Sequence, residues 1–291
     1  MTKHDHAMRF HTLHQHGTFV LPNAWDAGSA ALIASAGAAA VATTSSGVSW
    51  SLGVPDGEHL GRNDMVAAIA RIVRAVDLPV SADVEGGYGP DPSDVAATIE
   101  AVIEAGAVGA NVEDRLRAGG ELLWAIDAQC ERLAAARAAA DRCGGRFILN
   151  ARTDVFLAAV GAPQDREATV LERAEHYRRA GADCLFVPGL VDVEVIARLA
   201  QRSPLPLNAM LAPGQGPTIA QLREAGVRRI SVGQAIASAA YGVVRIATRQ
   251  LLAGDDRALR DGVRHPEMQQ LMATPAGRAD DRSLAAAGKD A

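Results

Sequence analysis

Two carboxylates one residue apart, Asp83 and Glu85, stand where a short apolar run (78–80) gives way to Gly86-Gly-Tyr-Gly89. On an extended chain, residues i and i+2 project to the same side, so both acids converge at a strand end. Carboxylates held that close repel each other unless a cation lies between them. Taken alone, the stretch also reads as a strand leaving the core through a solvated acidic turn. The same punctuation recurs, however: other apolar runs end in Trp25-Asp26, Ser45-Ser46-Gly47, Glu113, Arg152, Asn208 and Ser231. Helix capping calls for Ser, Thr, Asp or Asn, and Ser93 is placed for it, but capping does not account for an arginine there. Acids and an arginine brought together from separate runs outline a site for a metal and an anion.

Such convergence needs a scaffold that gathers strand ends. Apolar runs at 19–23, 38–42, from Val80, 108–112, 147–151, 184–187, 205–208 and 229–232 read as strands. They alternate with helical spacing at 28–36, 65–76, from Pro92, to Asp141, 166–180, 193–201, 219–224 and 235–252. Ala-Gly-Ala-type turns (36–38, 105–107, 180–182 and 225–227) join helix to next strand, with glycine suited to the left-handed residue that ends a helix. Eight strand–helix units in this length predict one α/β domain, a (β/α)8 TIM barrel over 1–255, with 256–291 as a C-terminal helical arm or tail. An open doubly wound sheet is the rival, but no glycine-rich phosphate loop follows the first strand. In a barrel the C-terminal strand ends form one mouth, where these polar residues fall.

Composition narrows the class. The 291 residues are 48% hydrophobic and 22% charged, with net charge −5, which argues against a nucleic-acid partner. The alanine-rich runs are broken by glycine and charge, so no membrane span or signal peptide is expected. Cys130, Cys143 and Cys184 show no paired spacing, which suits a reducing, cytoplasmic setting. His4, His6, His11, His14 and His16 read as a frayed terminus or surface helix in preference to a metal tract.

From about Phe19 to Tyr241 the chain resembles the isocitrate lyase and phosphoenolpyruvate mutase superfamily. The resemblance rests on ordered motifs: Thr44-Ser-Ser-Gly47, Leu52-Gly-Val-Pro-Asp56, Ala82-Asp-Val-Glu-Gly-Gly-Tyr-Gly89, Val112-Glu-Asp114 and Asn150-Ala-Arg-Thr-Asp154. It implies a barrel whose last helix is often swapped between neighbours, in homo-oligomers of two or four chains. It implies Mg2+, with Mn2+ as a substitute, bound directly by Asp83, while Asp56, Glu85 and Glu113 hold its waters. Ser45, Ser46 and Gly47 match the loop that grips a substrate carboxylate, Arg152 the arginine that neutralises the oxyacid, and Asn208 lies near a substrate-contacting position. Trp25 reads as core packing or as a pocket wall. Arg152 and Glu113 are the expected catalytic groups.

One departure matters. Lyases of isocitrate and methylisocitrate carry Lys-(Lys/Arg)-Cys-Gly-His after the fourth strand; this chain has Arg115-Leu-Arg-Ala-Gly-Gly-Glu-Leu122. The mutase's loop lysine and asparagine are absent too. The expected activity is Mg2+-dependent C–C cleavage of a small 2-oxo or 2-hydroxy carboxylic acid (oxaloacetate-, malate- or methylisocitrate-like) through an enolate. P–C chemistry on phosphonopyruvate or phosphoenolpyruvate, and a carboxylate-binding barrel without turnover, are the alternatives. The segment 115–123, with Gly119-Gly120 and then Leu122, Leu123 and Trp124, reads as a lid over the mouth or as a plain connection; Arg115, Arg117 and Glu121 are its polar groups.

Overall fold

The computed structural model describes residues 2–117 and 120–273. Nine parallel strands form one sheet: β1 (Phe19–Leu21), β2 (Asn23–Ala24), β3 (Val41–Thr43), β4 (Val80–Asp83), β5 (Gly109–Glu113), β6 (Ile148–Arg152), β7 (Cys184–Val187), β8 (Leu207–Met210) and β9 (Arg229–Ser231). Their order is β1-β9-β8-β7-β6-β5-β4-β3-β2. The expected first strand is thus two short ones. Pro22 separates them, having no N–H to give to a ladder. Because β1 pairs with β9 and β2 with β3, this one segment joins both ends of the sheet and closes an eight-stave (β/α)8 barrel.

Among the described residues, eleven α-helices accompany the strands: α1 (Lys3–Gln15), α2 (Ala27–Ser35), α3 (Ser45–Ser51), α4 (Arg62–Ala75), α5 (Pro92–Glu104), α6 (Ile126–Arg142), α7 (Arg166–Arg179), α8 (Val193–Arg202), α9 (Ile219–Glu224), α10 (Ala235–Leu252) and α11 (His265–Ala273). Sequence explains them locally. Met65, Ala68, Ile69 and Ile72 fall on one face of α4, and all are buried against the barrel. Removing one such isoleucine side chain costs roughly 2–5 kcal/mol. Helix α5 begins at Pro92 and is closed by an Asp91/Asp94 capping box. Gly106 and Gly181 end α5 and α7 at φ +99° and +98°, as the Ala-Gly-Ala turns require. All five residues of β5 are buried, as expected of a parallel strand covered on both faces.

Of the two readings of the N-terminus, frayed end or surface helix, the structure has the helix, with one face buried. This is α1, whose Ala7, Phe10 and His14 share the buried face, spaced i, i+3 and i+7. They pack with Phe19, Leu21, Val108 and Ile148 under the N-terminal end of the barrel. A Cβ on Gly109 would stand 2.8 Å from Phe10 Cε1, so the helix seals that end closely. At the other terminus, α11 lies on α2 of its own chain, with Met268 Cε 3.9 Å from where a Gly28 Cβ would stand. Of the arm expected over 256–291, residues 274–291 lie outside the described residues. Helix α10 leaves Tyr241, Val243, Val244, Ile246, Leu251 and Leu252 exposed. No helix among the described residues is long and apolar enough to cross a membrane.

Candidate active site at the mouth of the barrel

Asp83, Glu113 and Arg152 are the last residues of β4, β5 and β6, and the register pairs Glu113 directly with Arg152. The pairing brings their charges together: Arg152 Nη1 lies 2.8 Å from Glu113 Oε2. Arg152 Nε and Nη2 donate to the two oxygens of Asp154 at 2.6 and 2.9 Å. Each guanidinium nitrogen thus has a partner within the protein, which leaves one further N–H on each of Nη1 and Nη2. Burial opposes the Arg152 cation, but Glu113 and Asp154 more than offset it and hold its pKa above the usual value.

The segment after β3, expected as a loop, starts α3 instead. Thr44 occupies the N-cap position, and Ser45 and Ser46 begin the helix. The Ser45 amide donates to Asp83 Oδ2 at 3.0 Å, and the Asp83 amide donates to Thr43 Oγ1 at 2.8 Å. The Ser46 hydroxyl donates to Asp56 Oδ2 at 2.8 Å. Gly47 is a packing position: a Cβ there would stand 2.8 Å from both Thr44 Cγ2 and Trp25 Cβ. Trp25 itself is half-buried against the apolar core and does not line the cavity described below.

Glu85 sits in the turn after β4 at φ +51°, a left-handed conformation costly for a residue with a Cβ. Its Oε2 accepts from the Glu58 amide at 2.7 Å and from Arg117 Nη2 at 3.0 Å. The same Arg117 nitrogen donates to Glu113 Oε1 at 2.6 Å. Burial, followed by the charges of Asp56, Asp83 and Glu113, pushes the Glu85 carboxyl up to about 8 against the pull of Arg117. Burial likewise raises Glu113, with Arg152 and Arg117 opposing. The connection carrying Arg117 is pinned at its base by an Arg115–Leu123 bridge and by the Trp124 amide donating to Asp114 O at 2.9 Å. Leu123 is buried and Leu122 exposed; Ala118 and Gly119, one half of the expected glycine pair, lie outside the described residues.

These elements surround a cavity of about 160 Å3. Asp56, Asp83, Ser45, Ser46 and Arg152 line it together with the uncharged Leu157, Phe186, Pro188 and Met210. Asn23, Thr44, Asn111, Ser231, Gly233 and Gln234 complete it. The sequence reading singled out neither Asn111 nor Arg117's double contact nor the apolar lining. Asn111 had a usable signal, since it stands two residues before Glu113 and so shares its side of β5. Asn208, by contrast, lies beneath the cavity, fully buried, and donates to Ser231 Oγ at 3.0 Å.

The oxygen atoms suit a hard divalent cation. Asp83 Oδ1 and Glu85 Oε1 are buried without a hydrogen-bond partner, which is costly unless something positive meets them. Among the described residues no three His, Cys, Asp or Glu side chains close on one point, so there is no all-protein cage. Mg2+ fits that arrangement, because it takes one or two carboxylates and keeps most of its waters.

Comparison with known proteins agrees in region and fold. The family model described as phosphoenolpyruvate phosphomutase matches residues 10–252. The chain is 33% identical to the 2-methylisocitrate lyase of Salmonella typhimurium over 210 residues, 69% of each chain. A Burkholderia cenocepacia structure, provisionally assigned as a phosphonomutase, is 44% identical with TM-score 0.80, covering 86% of this chain and 99% of that one. Oxaloacetate acetylhydrolase in complex with the inhibitor 3,3-difluorooxalacetate is 27% identical with TM-score 0.82, covering 92% and 93%.

Proposed function

The chain belongs to the phosphoenolpyruvate phosphomutase family, within the isocitrate lyase and phosphoenolpyruvate mutase superfamily, and from that premise we propose a Mg2+-dependent lyase that cleaves a C–C bond in a small 2-oxo or 2-hydroxy carboxylic acid. The observation that carries this reading is the pair of buried, unpartnered oxygens, Asp83 Oδ1 and Glu85 Oε1, beside a cavity sized for a small acid. When bound, Mg2+ supplies a Lewis acid for the substrate's C2 oxygen and carboxylate. Asp83 would be its direct protein ligand, and Asp56, Glu85 and Glu113 would hold its waters. Arg152 and Arg117 keep Glu113 in place between two cations, and Arg152 adds positive potential where the enolate charge develops. Ser46 holds Asp56 and presents its oxygen to the cavity.

The apolar part of the lining favours C–C over P–C chemistry. Leu157, Phe186, Pro188 and Met210 offer no charge to a phosphonate dianion, and the charge of Arg152, the lining cation among the described residues, is already balanced by Glu113 and Asp154. The reading extends to a homo-oligomer in which a second copy covers the apolar face of α10, where Tyr241 meets exposed Trp50 edge-on at 6.3 Å.

The experiment incubates the purified protein and Mg2+ with oxaloacetate, alkyl-substituted malates or phosphonopyruvate, following 2-oxo acid and phosphate separately. A lyase releases 2-oxo acid from a carbon substrate, and chelator abolishes the release. Phosphate release from phosphonopyruvate alone would move the reading to P–C chemistry. Binding of the acids with no product would make the protein a carboxylate-binding barrel.

A further inference from the structure

A buried polar ladder runs across the inside of the barrel beneath the cavity. Asn150 Nδ2 donates to Asn111 Oδ1 at 2.6 Å and to Asn208 Oδ1 at 3.0 Å. Arg229, at the start of β9 and fully buried, donates from Nη2 to the same Asn111 oxygen at 3.1 Å. A guanidinium has donors and no acceptor, so the Asn111 atom facing it must be the carbonyl oxygen. The chemistry thus fixes which way the amide points. Asn111 Oδ1 is held from below by two donors, its Nδ2 has no partner among the described residues, and the residue lines the cavity. Arg229 itself forms no ion pair among the described residues; its Nε and Nη1 are buried without partners. Its positive charge on the barrel interior is left to act on whatever lies above it.

We propose that Asn111 is a substrate-binding residue whose NH2 group donates to an anionic oxygen of the bound acid, and that Arg229 is the positioning residue that keeps that NH2 turned toward the cavity. An amide presenting hydrogens repels a cation, so Asn111 serves the substrate's oxygen and not the metal. Its neighbour in register, Asp83, serves the metal. The division places a cation-binding oxygen and an anion-binding donor side by side on β4 and β5, as a chelating 2-oxo acid requires. The proposal rests on the reading of this cavity as the site of a Mg2+-dependent lyase.

Oxalate, a planar dianion shaped like the enolate of pyruvate, is the probe. Its binding in saturating Mg2+ is measured by calorimetry, and Mn2+ binding without oxalate is measured separately by electron paramagnetic resonance. Asn111→Asp keeps the oxygen that Arg229 and Asn150 hold but turns an oxygen to the cavity. The double variant Asn111→Leu with Arg229→Met removes donor and guanidinium together, adding no charge and leaving no unpaired cation. Both are expected to bind oxalate about 10- to 100-fold more weakly, the worth of one hydrogen bond to a charged group. Mn2+ affinity in both should be undiminished. Arg229→Lys, still a donor without an acceptor, should stay within about threefold of the unaltered protein, whereas Arg229→Met should not. Oxalate binding within threefold in Asn111→Asp or the double variant, or loss of Mn2+ binding in parallel, would overturn the assignment of Asn111. Equal effects of Lys and Met at 229 would overturn the positioning role. No Mg2+-dependent oxalate binding by the unaltered protein would remove the lyase reading along with the proposal.

Discussion

Arg117 Nη2 lies 2.6 Å from Glu113 Oε1, and the same nitrogen reaches Glu85 Oε2 at 3.0 Å. A side chain from the connection after β5 therefore places a positive charge between two of the acids assigned to the metal's waters. Both carboxylates are almost wholly buried, while the Arg117 side chain is 38% exposed. The arginine neutralises repulsion that burial would otherwise make expensive. It also competes with a divalent cation for the same oxygens.

Arg117→Met should tighten Mn2+ binding in the absence of substrate, since a screened like charge is worth about 1 kcal/mol, or roughly fivefold. Turnover should fall, because Glu113 loses one of the two cations that fix it. Calorimetry of metal binding alongside steady-state rates separates the two effects. Weaker metal binding in the variant would show that Arg117 supports the cradle and does not compete with it.

Asp83 is the acid whose loss should be complete. It offers one oxygen to the Ser45 amide and leaves Oδ1 unpartnered, so Asp83→Ala removes the direct ligand and unties the start of α3. Metal binding and activity should vanish together. Asp56→Asn, Glu85→Gln and Glu113→Gln should weaken metal binding by about 10- to 100-fold each, the range for groups that orient ligands. Unchanged turnover in Asp83→Ala, or full activity in excess chelator, refutes the assignment.

How far the barrel is legible in the sequence depends on local signals. The readings 184–187, 219–224 and 235–252 match β7, α9 and α10 because turn glycines or a change of period bound them. The readings 108–112 and 147–151 stop one residue short of Glu113 and Arg152. Charged residues do not look like strand, yet here their side chains find partners at the mouth, and the ladder continues through them. The reading 205–208 starts too early, since Pro206 cannot donate to a ladder and β8 begins at Leu207. At the mouth, Arg152 pairs with Glu113, and Arg117 joins Glu113 to Glu85. Arg229 was not legible as an interior residue: an arginine opening a strand reads as a solvated edge, but here Asn111 and Ser81 meet it inside the barrel and the Phe10 ring of α1, a distant segment, lies against it.

Arg152→Lys should fail as a conservative change. The arginine holds Asp154 with two nitrogens and Glu113 with the third, and an ammonium cannot reproduce that fork. If positive charge here meets a developing oxyanion, kcat should drop by about 10²–10³-fold with KM little changed. Normal kcat with raised KM would reduce Arg152 to holding substrate. Circular dichroism and thermal melting check that the variant remains folded.

Thiol alkylation should leave activity intact, unlike in lyases with a loop cysteine. Cys184 is buried with its thiol pushed up to about 12 by burial, and Cys130 is half-buried on α6 with its thiol also raised by burial. Only Cys143 is exposed among the three, and it lines a separate cavity with Lys3, Ala7 and Phe147 near α1, away from the strand-end acids. Iodoacetamide should modify Cys143 first, as read by mass spectrometry, with no loss of rate. Inactivation that tracks modification of any one cysteine would give that thiol a role in the chemistry.

The acid limb of stability should carry the signature of His14. Its ring lies at 6% exposure between Phe10 and Phe19, with Nδ1 2.8 Å from Phe10 O and Nε2 unpartnered. The rings meet edge-on at 4.6 and 5.0 Å, so a neutral imidazole packs well there. Burial first, then the neighbouring Arg229, His11 and Arg228, lowers its pKa from the usual 6.5 to about 3, with the Phe10 carbonyl opposing. The folded state therefore binds this proton less readily than the unfolded chain. Stability is fully present above about pH 6.5 and is lost as pH falls from there toward 3. At pH 5 the loss from this one group is about 2 kcal/mol, since unfolding gains a proton over most of that window. His14→Leu keeps the apolar packing and removes the titration. Urea unfolding of both proteins at pH 7.5 and pH 5 should show the difference between them shrinking or reversing in favour of the leucine variant at the lower pH. Parallel loss in both would mean that His14 is not what the protein loses to acid.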